Sequence, residues 1–147
     1  MVAGKRHWVT FLLILTLAEV AFGQAPSDGN CNSTDAPKIV KVDDRAKRVF
    51  VEARLDEINT TTKAKKILIS VAKSLKQCRP SWDNSWSASF FSDRKYAGYK
   101  HDSEMEPFVQ DGSWFRSYVG EYERQTEKLT LNPTESKKIK FLKVRLP

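Results

Sequence analysis

Residues 82–122, WDNSWSASFFSDRKYAGYKHDSEMEPFVQDGSWFRSYVGEY, hold eleven of the thirteen aromatic residues that follow position 23. They are Trp82, Trp86, Phe90, Phe91, Tyr96, Tyr99, Phe108, Trp114, Phe115, Tyr118 and Tyr122. Rings of this kind bury about 150–250 Å² each and dominate any core they enter. The core therefore forms here, and the flanking segments read as what packs onto it. Within the block, residues 85–92 read as a strand with Trp86, Ala88 and Phe90 on one face. Residues 114–122 read as a second strand. Residues 93–110 between them read mostly as loop, acidic through Asp102, Glu104 and Glu106.

Upstream, residues 38–55 have the pattern of a β-hairpin. Ile39, Val40 and Val42 form one short run, and the polar turn Asp43-Asp44-Arg45-Ala46 follows. In the second run Val49, Val51, Ala53 and Leu55 alternate with Arg48, Phe50, Glu52 and Arg54, the period of a strand with one buried face. Residues 60–77 read as an amphipathic helix. Ala64, Ile67, Leu68, Val71, Ala72 and Leu75 recur at three- and four-residue steps, with Lys66, Lys73 and Lys76 opposite and Ile69 out of place among the lysines. Thr60 or Thr61 supplies an N-cap oxygen, and Pro80 stops continuation.

Downstream, Arg124-Gln125-Thr126-Glu127 makes a polar turn into a hairpin partner at residues 128–131. Residues 138–146 form a last strand. There the phases conflict: Ile139 and Phe141 share one parity, while Leu142, Val144 and Leu146 share the other, which a bulge near Phe141 would reconcile. The order strand, strand, helix, four strands predicts an α+β fold. It is a single small domain, with one amphipathic helix packed on a curved antiparallel sheet of about five to six strands.

Residues 1–23 read as a cleaved signal peptide. Lys5, Arg6 and His7 precede a largely apolar run from Val9 to Val20, and Ala21-Phe22-Gly23 fits a small-x-small cleavage site. The apolar run is short for a span of about 20 residues. Removing Lys5, Arg6 and Glu19 takes the formal charge from +7 to +6. Residues 24–37, rich in Pro, Ser, Asp, Asn and Gly, read as an unstructured arm, leaving residues 38–147 as the domain. The expected location is extracellular, with no membrane span after signal cleavage.

In an oxidising compartment the two cysteines, Cys31 and Cys78, are expected to form one disulfide, the alternative being two free thiols or an intermolecular bridge. Asn32-Ser33-Thr34 and Asn59-Thr60-Thr61 are glycosylation sequons, which would place Asn32 and Asn59 at the surface of a eukaryotic secreted protein.

Chemistry-bearing motifs are few. There is no Gly-x-Ser-x-Gly elbow, no Gly-rich phosphate loop and no His-Glu-x-x-His. After residue 23 the single histidine is His101, which rules out a two-histidine mechanism. No cofactor is expected. The leading expectation is a small secreted, non-enzymatic binding protein that uses an aromatic surface. Its candidate contact residues are Arg94, Lys95, Tyr96 and Tyr99, with Trp82 and Trp86, because tyrosines among basic residues beside Gly98 have the composition of a recognition surface. The partner would be an extracellular protein or a glycan.

Two alternatives stand beside it. A secreted hydrolase would use carboxylates in residues 93–111 with His101. A polyanion-binding protein would use the basic helix face and the C-terminal strand, with Lys137, Lys138, Lys140, Lys143 and Arg145. No nucleic-acid motif is present, since aromatics and lysines are largely segregated along the chain. The order strand, helix, four strands resembles that of cystatin-type inhibitors. The Gln-x-Val-x-Gly segment and the late Pro-Trp pair of that family are absent here, and Val109-Gln110-Asp111-Gly112 does not replace them. The resemblance is one of element order and assigns no function.

Overall fold

The computed structural model describes residues 31, 38–132 and 139–147. The expected signal peptide, the rest of the arm at 24–37, Asn32, Lys137 and Lys138 lie outside the described residues. Alternating apolar residues form β1 (Lys38–Asp43) and β2 (Arg48–Glu52). Their turn is fixed by the Ala46 amide donating to Asp43 Oδ1 at 3.0 Å and by Lys47 in the left-handed region at φ 48. A short helix α1 (Leu55–Ile58) leads into α2 (Thr61–Cys78). Thr60 caps α2 by accepting from the Lys63 amide, and the Arg79 amide closes its far end on the Leu75 carbonyl. The chain returns as β3 (Ser87–Phe91).

After β3, one 3-10 turn (Arg94–Tyr96) and two short helices, α3 (Glu106–Gln110) and α4 (Ser113–Ser117), precede β4 (Tyr118–Glu123). Then β5 (Lys128–Leu131) and β6 (Lys140–Lys143) complete a six-stranded sheet in simple sequence order.

The sheet is mixed, not antiparallel throughout. β2 and β3 run parallel, with Val49 opposite Ala88 and Val51 opposite Phe90, while every other neighbouring pair is antiparallel. The cause is α2: a parallel pair needs a long crossover, and an 18-residue helix supplies one. Nor is α2 the sole helix. Residues 114–117, expected as strand, belong to α4, because the Asp111 carboxylate accepts from the Ser113 amide and Gly112 turns the chain at φ 75.

Side chains alternate across the sheet and build two cores. On one face Val49, Val51, Ala88, Phe90, Tyr122, Leu129 and Val144 pack under Ala64, Leu68, Val71 and Leu75 of α2. Ile69 also packs against this core, so it is not an unpartnered residue among lysines. On the opposite face Phe50, Phe91, Ala97 and Trp114 form the second core, covered by the segment from the 3-10 turn to α4. The far end of the sheet resolves the parity conflict without a bulge. β5 and β6 pair in unbroken register, Leu142 turns toward the first core with Val144 and Leu146, and Ile139 and Phe141 are exposed.

The disulfide between Cys31 and Cys78 is formed, with a Cα–Cα distance of 5.5 Å, and joins residue 31 to the end of α2. Asn59, expected at the surface, is half-buried, and its side-chain oxygen is buried without a hydrogen-bond partner among the described residues.

Candidate binding site

The second face of the sheet is apolar at one end and polar in the middle. In register, Phe50 lies beside Ser89 and Ser89 beside Glu121, while Arg48 lies beside Ser87. This row forms the floor of a cleft of about 370 Å³. Six of its thirteen lining residues are aromatic: Phe50, Phe91, Tyr99, Trp114, Phe115 and Tyr118. Such a volume is at the small end of the range for clefts that take small molecules.

The rings hold one another in place. Phe91 meets Trp114 and Tyr118 edge-on, each at 5.5 Å between centroids, and Trp114 stacks on Tyr118 at 5.3 Å. The Trp114 indole N–H donates to the Gly98 carbonyl at 3.1 Å, tying α4 to the loop that carries Tyr99. Tyr99 meets Phe50 edge-on at 4.9 Å, stacks on His101 at 5.1 Å, and donates its hydroxyl to Asp43 Oδ2 at 2.9 Å. Asp102 anchors the same loop by accepting from the Tyr99 amide and from Lys41, each at 3.2 Å.

Burial, and then the bond to Asp43, push the Tyr99 phenol up to about 12. Burial, and then the Glu121 charge, push Tyr118 up to about 12. Asp43 is held below its ordinary value, chiefly by the Ala46 amide and less by the Tyr99 hydroxyl.

The polar centre of the floor is Arg48, Ser89 and Glu121. Arg48 donates from Nε to the Ser87 hydroxyl at 3.0 Å and from Nη2 to Glu121 Oε1. Glu121 Oε2 also accepts from the Tyr118 hydroxyl at 3.4 Å. Ser89 is only 4% exposed. The buried side-chain polar atoms without a partner among the described residues are Glu52 Oε2 and Asn59 Oδ1, and the Ser89 hydroxyl, which lines the cleft, is not one of them.

Of the six residues expected to form a binding surface, Tyr99 alone lines the cleft. Tyr96 packs edge-on against Phe108 at 5.2 Å, with the Lys95 ammonium 4.5 Å from the Phe108 ring. Arg94 is exposed in the 3-10 turn. Trp82 and Trp86 belong to the opposite core, where Trp86 is 5% exposed and leans on Tyr122. These residues do not come together.

Three of the acidic residues of the alternative hydrolase reading serve local structure: Asp93 caps the 3-10 turn, Asp111 accepts from the Ser113 amide at the start of α4 and Asp102 holds the Tyr99 loop. Among the described residues no three acidic, histidine or cysteine side chains gather as a metal would require. The C-terminal cations are engaged as well, Lys140 on the Asn59 carbonyl and Lys143 and Arg145 on Glu127.

Arg48, Phe50 and Trp114 were not assigned to a site by the sequence reading. The signal that could have found them is Phe50, a large ring on the parity of β2 that the alternation assigns to the outer face. A phenylalanine there calls for a second apolar layer. The chain matches no family model, curated protein or solved structure with which it was compared.

Proposed function

We propose that the protein is a secreted binding protein whose ligand site is the aromatic cleft on the second face of the sheet. The observation that carries this reading is a cleft of about 370 Å³ walled by six aromatic rings, with the polar groups of Arg48, Ser89 and Glu121 in its lining. A few placed polar groups within an apolar concavity are the usual composition of a small-molecule site. The cleft would hold one small molecule, or a single side chain or ring of something larger. Secretion is supported by the signal-like residues 1–23 and by the Cys31–Cys78 disulfide.

The test is a thermal-shift screen of small amphipathic molecules on the disulfide-bonded protein and on Asn132→Trp, which adds a bulky ring to the cleft wall. A ligand of the folded state raises the melting temperature in proportion to its occupancy. Compounds that stabilise the wild type and not the variant would support the reading. Equal stabilisation of both would place the ligand elsewhere and contradict it.

A further inference from the structure

We infer that the cleft selects a flat apolar molecule carrying one negative charge, such as an aromatic carboxylate or sulfonate, with the anion seated over Ser89 beside Arg48. This deepens the proposed function and rests on it. The aromatic body follows from the lining: six of its thirteen residues carry aromatic rings, among them the stacked pair Trp114 and Tyr118 and the half-exposed Phe115. An extended ring system covers such walls with little loss of its own conformational entropy.

The charge follows from the lining. Its formal charges are Arg48 and Lys100 against Glu121, a balance of one positive charge. Glu121 is already engaged through both oxygens, by Arg48 and by the Tyr118 hydroxyl. The acids behind Tyr99 are engaged too: Asp43 takes the Tyr99 hydroxyl and Asp102 pairs with Lys41. Arg48 is the opposite case. Its Nε and Nη2 are fixed by Ser87 and Glu121, while Nη1 makes no hydrogen bond to the described residues. The guanidinium is therefore held in position with a donor to spare, and Ser89 adds a hydroxyl donor one step along the same face. His101, stacked on Tyr99, also lines the cleft.

The test uses two probes of similar shape on the disulfide-bonded protein: 1-anilinonaphthalene-8-sulfonate, and the uncharged N-phenyl-1-naphthylamine. Binding is read by calorimetry and by energy transfer from tryptophan. The expected result is one sulfonate site per chain, with the neutral probe about tenfold weaker, the span of a charge-assisted hydrogen bond.

Arg48→Gln should weaken the sulfonate about tenfold and leave the neutral probe unchanged. Should Arg48→Gln fail to fold, Lys100→Glu, at an exposed position, must show the same selective loss. Ser89→Ala should weaken the sulfonate while leaving the neutral probe and the stability of the unliganded protein unchanged; a serine with no part in the site would leave both probes unmoved.

Equal affinity for both probes, unmoved by these variants, overturns the anion inference and leaves the cleft reading intact. If neither probe binds, or if Asn132→Trp does not affect binding, both fail.

Discussion

At Gly120, β4 and β5 approach so closely that no side chain fits: a Cβ built there would lie 2.3 Å from the Thr130 carbonyl oxygen. Gly120→Ala should cost about 1–3 kcal/mol or more, since backbone must move to relieve it. Urea unfolding reads this as a lower midpoint at unchanged slope. The tyrosines give a second residue-scale prediction. Tyr99 and Tyr118 each have phenols raised from 10.0 to about 12, first by burial. A group whose folded pKa is raised contributes stability that is complete below its unfolded pKa and is lost as pH rises through the folded one. Stability should thus hold up to about pH 10 and fall toward pH 12. Ultraviolet titration of the phenolates should show late ionisation, and Tyr99→Phe should remove one late group at a cost of about 1 kcal/mol. At this scale the sequence was partly legible. Tyr99 could be nominated because a tyrosine beside glycine in a basic loop suits a contact surface. Trp82 and Trp86 could not be divided between core and surface, because a ring's burial depends on which face of the sheet it meets.

The unit β2–α2–β3 organises the elements. Its helix was readable from the stripe Ala64, Leu68, Val71, Leu75, and its strands from alternation, because both are local signals with a fixed period. The parallel pairing was not read, since antiparallel and parallel strands carry the same alternation and only the length of the connection separates them. Helix α4 was missed for another reason. The aromatic-rich stretch 114–122 was read as one strand, and the turn imposed by Asp111 and Gly112 makes its first four residues helical. The disulfide acts at this scale too, closing a separation of 47 residues at the end of α2. Replacing both Cys31 and Cys78 by Ser should lower stability by about 4 kcal/mol in the chain-entropy account. Thermal unfolding of that variant against the wild type checks it, and an unchanged midpoint would mean the unfolded chain is not loosened by the loss.

For the whole molecule, the consequential feature is that the sheet is covered on both sides but unequally. The helix face is closed by α2, whereas the other face is closed only at its Phe50–Phe91 end, and the cleft opens where that cover stops. A sequence that alternates cleanly on β2 announces the first core, while the second is announced only by Phe50 and by rings that lie far along the chain. The cleft is assembled from residues 48 to 132, across a span that no local pattern connects. The most direct test is amide chemical-shift mapping of the isotope-labelled, disulfide-bonded protein titrated with 1-anilinonaphthalene-8-sulfonate. Perturbations confined to Arg48, Ser89, Gly98, Lys100, Glu121 and their neighbours are the predicted result. Perturbations that instead follow the lysines of α2, or spread without a focus, would contradict the cleft as the binding site.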